Sequence, residues 1–124
     1  MLLFPLPDIP GPPEGPIEIS ECDVDACTLL WNPPAEDGGT NITNYIIEKC
    51  DVSRGDWLTA SASCTKTSFR VTKLTPGTEY GFRVRAENRF GISEPIYADR
   101  WIARYSFGES YEIKLIIIND VTNT

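Results

Sequence analysis

The sequence predicts an all-β chain folded as a seven-stranded β-sandwich, and three observations carry that expectation. From Tyr80 to Ala86 every second residue is apolar (Tyr80, Phe82, Val84, Ala86), with Arg83, Arg85 and Glu87 in the alternate positions. That is the period of a strand with one dry face and one wet face. Short runs of this kind recur at intervals of roughly ten residues between turn signals, the rhythm of a sandwich. No stretch of useful length carries the helical period.

The elements follow in order. Residues 5–16 hold six prolines and two glycines, which favours an extended, semi-rigid linker over a folded element. No basic residue flanks it, so a linker is preferred to a ligand for SH3 or WW domains. Ile17-Glu18-Ile19 is the first strand. Ala26 to Trp31 is the second, with Cys27, Leu29 and Trp31 inward, and Asn32-Pro33-Pro34 ends it because proline cannot donate to a ladder. After the turn cluster Glu36 to Gly39, the third strand runs from Ile42 to Cys50 with Tyr45 and Ile47 inward and Glu48 outward. Asp51 to Asp56 turns the chain into a short fourth strand, Trp57 to Ala60. The fifth is Ser68 to Leu74 with Phe69 and Val71 inward, and the sixth is Tyr80 to Asn88. The seventh runs from about Pro95 to Ala103.

The first, second and fifth strands are expected in one sheet and the other four in the second, with Trp31, Tyr45, Phe69, Tyr80, Phe82 and Val84 holding the core. Leu30 and Ile46 fall on the outward phase. Tyr80 enters its strand just after the Pro76-Gly77 corner, so its hydroxyl can turn back onto the corner's backbone. Outward Arg70, Arg83 and Arg85 are expected to pair with Glu48 and Glu87 across neighbouring strands.

At 124 residues the chain has room for one domain plus flanking segments. Residues 1–15 read as the Pro-rich linker, 16–107 as the domain, and 108–124 as a second linker or an irregular tail. The net charge of −7 argues against nucleic acid or an anionic membrane as partner. It is uneven: residues 1–48 carry nine carboxylates and no basic residue. The opening MLLFPLPDIP lacks a basic flank and is broken by Pro5, unlike a signal peptide. No apolar run is long enough to span a bilayer as a helix. The expectation is an intracellular chain, an internal piece of something longer.

Candidate sites are few. Cys22, Cys27, Cys50 and Cys64 lack zinc-knuckle spacing and there is no histidine, so four free thiols in a reducing compartment are expected and no metal or cofactor. Cys27 is in phase with Leu29 and Trp31 and reads as a small core residue. Arg54-Gly55-Asp56 forms an RGD tripeptide on the turn before Trp57, where Gly and Asp are also ordinary turn residues. Asn41-Ile42-Thr43 fits the glycosylation pattern but also ends a turn and starts a strand. Glu36-Asp37 and Asp23/Asp25 sit in turn contexts without the spacing of a calcium loop. No nucleophile–histidine pair or Gly-rich phosphate cradle exists, so no enzyme and no small-molecule substrate are expected.

The order of landmarks across residues 10–103 resembles a fibronectin type III domain, an immunoglobulin-like sandwich. It runs through Pro12-Pro13, Cys27 to Trp31, Pro33-Pro34, Asp37-Gly38-Gly39, Ile42 to Tyr45, Glu48-Lys49 and Trp57. It continues through Leu74 to Tyr80, Phe82-Arg83-Val84, Ala86-Glu87-Asn88, Gly91 and Ser93-Glu94-Pro95. The turn DGG followed by ITNYIIEK, Trp57 seven residues after Cys50, and FRVRAENRFGISEP are similar to modules of the titin, twitchin and projectin class. These are giant intracellular proteins of muscle thick filaments.

The resemblance implies a tandem-repeat module of a sarcomeric protein in the A-band of the myofibril. It also implies contacts with neighbouring immunoglobulin and fibronectin modules and with thick-filament components such as myosin. The alternative is an extracellular adhesion or receptor module using the RGD at 54–56. Met1 to Leu6 and Gly108 to Thr124 lie outside the resemblance. The tail's IKLIII core combines high β propensity with little charge, an aggregation hazard if left unpaired.

Overall fold

The computed structural model describes residues 6–104, and among these every regular element is a strand. Nine strands form two antiparallel sheets packed face to face: β1 (Glu14–Ser20), β2 (Cys27–Asn32), β3 (Asn44–Asp51), β4 (Trp57–Cys64), β5 (Ser68–Val71), β6 (Glu79–Asn88), β7 (Gly91–Ile92), β8 (Ile96–Tyr97) and β9 (Trp101–Ile102). One sheet has the order β1-β2-β5; the other has β4-β3-β6-β7, with β8 and β9 also paired to β6.

Alternation decides which faces meet. On β6, Tyr80, Phe82, Val84, Ala86 and Asn88 are buried and the residues between them are half-exposed. Cys27, Leu29 and Trp31 of β2 face them from the other sheet, with Tyr45 and Ile47 beside them on β3. Trp31 meets the Tyr45 ring edge-on at 5.5 Å between centroids, a favoured aromatic geometry. Tyr80 accepts a 2.8 Å hydrogen bond at its hydroxyl from the backbone N–H of Thr75, so the tyrosine corner forms. Phe69 sits at the margin of the core, half-buried, because β5 is a short edge strand.

Several expected boundaries move, each for a local reason. The strand expected from about Pro95 to Ala103 is two short pieces, β8 and β9, and a further two-residue piece, β7, pairs with β6 ahead of Pro95, which has no N–H to give the ladder. Isolated bonds from Ser93 N–H to the Ala86 carbonyl and from Ala98 N–H to the Phe82 carbonyl keep the pieces along β6. The fifth strand stops at Val71: Lys73 adopts a positive φ of 59° and Leu74 N–H turns to the Asp25 carbonyl. The fourth strand extends to Cys64. Ile46 is buried, against expectation, whereas Leu30 is exposed. Ile46 lies opposite Arg85 in the ladder, and long arginine stems cover apolar neighbours.

The Pro-rich segment, expected as an extended, semi-rigid linker, is bonded to the domain. Asp8 N–H bonds the Gly38 carbonyl and Gly11 N–H bonds the Glu36 carbonyl, at 2.8 and 2.9 Å. Pro10 and Pro13 are buried. Gly38 has φ +81°, and a β-carbon there would collide with the Asp8 carbonyl. Residues 8–13 are therefore clamped along the turn that precedes β3.

Candidate protein-contact surface

The outward face of the larger sheet gathers the chemistry that a binding surface can use. Opposite residues in antiparallel strands share a face, and the register sets Glu48 opposite Arg83, Cys50 opposite both Gly81 and Trp57, and Arg83 opposite Tyr97. Gly81 has no side chain to hold the Trp57 ring away; a β-carbon there would stand 3.3 Å from the ring. Trp57 thus lies over β6, with the Arg83 guanidinium 4.2 Å from its ring centre. The Tyr97 ring meets it edge-on at 5.9 Å and is 60% exposed.

Glu48 organises the cations. Its carboxylate accepts two hydrogen bonds from Arg83, at 2.9 and 3.2 Å, and a third from Arg85 at 2.8 Å. Arg85 also donates to the Ser93 carbonyl. Burial alone would raise the Glu48 carboxyl, but the hydrogen bonds and charges of the two arginines outweigh it and hold it below the usual carboxylate range. Arg83 is pushed upward by the same carboxylate despite partial burial, with Tyr97 contributing. Two guanidiniums on one carboxylate leave the cluster with one excess positive charge on an otherwise acidic molecule.

The expected cross-strand pairing is right for Arg83 and Arg85 with Glu48. Glu87 instead accepts from Asn44, and Arg70 donates to the Glu21 carbonyl and the Thr28 hydroxyl.

The RGD tripeptide lies at the end of the same sheet. Arg54 and Gly55 N–H groups both bond the Asp51 carbonyl at 2.9 Å, and Gly55 has φ +80° with open space around it. Arg54, Gly55 and Asp56 are all exposed. Hydrogen bonding from Ser53 is the main reason the Asp51 carboxyl is held low.

Thr43, in the glycosylation pattern, uses both its N–H and its hydroxyl on the Glu87 carbonyl, while Asn41 is exposed. Cys27, Cys50 and Cys64 are free thiols, and burial pushes Cys27 up to about 12, far from thiolate reactivity at neutral pH. Among the described residues no group of three His, Cys, Asp or Glu side chains could hold a metal ion.

Two positions that shape this geometry went unread in the sequence. Tyr97 joins the Trp57–Arg83 stack only through the two-residue strand β8, too short to leave a period. Asn88, fully inside the molecule, donates to the carbonyls of Asp8 and Asp37 and accepts from the N–H groups of Phe90 and Gly91. The only signal for it was an amide residue where a buried phase meets a turn.

The fibronectin type III domain model matches residues 11–99. Among curated proteins, the chain is 40% identical over 87 residues to human slow-type myosin-binding protein C, covering 70% of this chain and 8% of the relative. It is 40% identical over 93 residues to titin of Drosophila melanogaster, covering 74% of this chain and, to the nearest per cent, 0% of the relative. A crystal structure of domains from titin superposes with a TM-score of 0.73 at 41% identity, over 78% of this chain and 33% of that one. The chain thus spans a small part of the proteins it is similar to.

Proposed function

Since the chain belongs to the fibronectin type III family, we propose that it works as a non-enzymatic structural and protein-binding module of a titin- or twitchin-like sarcomeric protein. Its role is thick-filament organisation and mechanical linkage. The observation that carries this reading is the path of the chain through the fold. The entering segment is held by Asn88, the last residue of β6, through the Asp8 carbonyl. The leaving strand β9 pairs with Glu79 and Tyr80, the first residues of β6. Ten strand residues span roughly 33 Å, so entry and exit lie at opposite ends, as a link in a series requires. Likeness to titin and to a myosin-binding protein over most of the module supports the same reading.

The module comprises residues 16–107 with residues 8–13 clamped onto it, and its partners are neighbouring modules and thick-filament components such as myosin. The outward face around Trp57, Arg83 and Tyr97 is the contact surface, because it joins exposed aromatic area to fixed charge. Co-sedimentation with purified myosin filaments tests this, together with immunolabelling of the parent protein in muscle. Binding that Tyr97→Ala weakens severalfold, with label confined to the A-band, is the expected result. No co-sedimentation together with label outside the sarcomere would overturn it.

The full exposure of Arg54-Gly55-Asp56 favours one second reading, an adhesion module. Integrin capture that Asp56→Ala abolishes would establish that reading instead.

A further inference from the structure

One side of the sandwich is open between β4 and β5. Among the described residues β4 pairs only with β3, and β5 only with β2, so each is an edge strand. An edge strand presents a row of backbone N–H and carbonyl groups that no neighbouring strand takes up. Along β4 that row runs for eight residues with neither a charge nor a proline among them, the usual guards of an edge. The turn between the two strands is tied by the Cys64 thiol, which donates to the Lys66 and Ser68 carbonyls at 3.2 and 3.4 Å. Between the strands lies a hollow of about 240 Å³ floored by Thr59, Ala60, Phe69 and Val71, with Lys49 and Lys73 beside it. A second hollow, of about 220 Å³, adjoins the same two lysines and reaches Arg54, Tyr80 and Leu58, the last of them 60% exposed.

The fold holds both lysines at this groove. Lys49 lies opposite Leu58 on β4 and Phe82 on β6; opposite residues share a face, and Phe82 is fully buried. The Lys49 stem therefore starts on the inner face, and its ammonium reaches water through the gap beside β4. Lys73 has φ 59°, a conformation that residues with a side chain seldom adopt, and the bond from Leu74 N–H to the Asp25 carbonyl keeps the backbone there. Among the described residues neither ammonium has an ion pair or a hydrogen bond. The one carboxylate lining either hollow, Asp51, is engaged by Ser53 and Arg54.

We propose that this groove is a docking site for an extended acidic peptide of a partner protein, laid between β4 and β5 with carboxylates on Lys49 and Lys73 and an aliphatic side chain over Ala60 and Phe69. Charge complementarity selects that occupant. The net charge of −7 opposes a phosphate polymer. A free anion would leave the apolar floor and both open edges unused. Two copies meeting edge to edge would set lysine against lysine. Main-chain bonds to the open edge supply affinity in strand addition, and here the two ammoniums choose which strand is accepted. The groove opens on the inner face of β4, away from the outward surface around Trp57, Arg83 and Tyr97, so its failure would leave that surface untouched.

Amide NMR of the full chain, titrated with a short synthetic peptide of alternating glutamate and valine, tests this. Shifts are expected on β4, β5, Lys49 and Lys73, and to leave the rest of the chain unmoved. Binding should weaken about tenfold or more in the double variant Lys49→Gln with Lys73→Gln, and as much for a peptide with glutamine in place of glutamate. High salt should weaken it as well. Neither ammonium has a partner to lose, so the double variant should melt with the parent; if it does not, the neutral peptide and the salt series decide. No shift at millimolar peptide overturns the proposal. Shifts centred on Trp57, Arg83 and Tyr97, or equal binding of the neutral peptide, overturn it too. Inorganic phosphate that reproduces the whole pattern would make the groove a simple anion site, again against it. The same amides shifting with protein concentration alone would put the acidic part of a second copy in the groove, and that also overturns it.

Discussion

At the scale of single residues, Glu48 is where fold and candidate surface depend on the same atoms. Arg83 and Arg85 lie two apart on β6 and point the same way, so without a carboxylate between them their charges oppose each other on a part-buried face. Glu48 is 15% exposed at its side chain, too dry for its ion pairs to be dismissed as surface decoration. Glu48→Gln keeps the volume and one acceptor but removes the charge, and is expected to cost on the order of 2 kcal/mol at pH 7. The sign with pH follows from linkage. The folded carboxyl lies below its ordinary value of 4.5. The native state therefore holds its stabilisation in full above that value and loses it as pH falls through the lower folded value. Urea unfolding of parent and variant should show a constant gap from pH 7 to 5 that narrows below 4.5. A gap that does not change with pH would show that the loss is one of packing and not of charge.

At the scale of elements, the entering segment is the clearest departure from expectation. Proline and glycine leave no period, so composition alone describes an extended spacer. Docking is decided by what receives the segment, and the receiving groups are far away in sequence: Gly38, whose positive φ lets the Asp8 carbonyl approach, and Asn88 at the end of β6. Deleting residues 1–13 removes two backbone hydrogen bonds, the Asn88 partner and the burial of Pro10 and Pro13. Each net hydrogen bond contributes about 1 kcal/mol, and prolines have little chain entropy to lose on docking. The deletion should therefore lower the melting temperature by about 10 °C or more, since about 1 kcal/mol moves a domain of this size by 4–8 °C. Deleting residues 1–5 alone should leave it unchanged. Equal melting of the two deletions would mean that the clamp contributes nothing. By contrast β2 and β6 were legible to within a residue at each end, because each has one face fully buried and its alternation is complete; β3 was legible to within two, its alternation broken by Ile46 and Cys50, which are buried out of phase. The Glu48 pairing was legible from the alternation as well. The Trp57–Arg83–Tyr97 stack was not, because it depends on an interrupted strand and on the missing side chain of Gly81.

At the scale of the whole molecule, charge governs how the fold behaves as a solute. The formal net charge is −7 at pH 7 and the isoelectric point about 4.5, so repulsion that keeps chains apart vanishes near pH 4.5. The loss coincides with the range in which Glu48 begins to take up its proton in the unfolded state, so repulsion between chains and native stability weaken together. The segment 108–124 lies outside the described residues, and its composition alone sets the expectation. IKLIII has the high β propensity and low charge of segments that stack between chains. Deleting 108–124 removes three carboxylates and one lysine, leaving the rest still acidic. Light scattering at fixed concentration should rise sharply for the full chain as pH falls from 7 toward 4.5, and the shortened chain should scatter several times less at the same pH. If both scatter alike, the association belongs to the neutralised sandwich surface, with its exposed Leu58, Phe90 and Tyr97, and the tail plays no part in it.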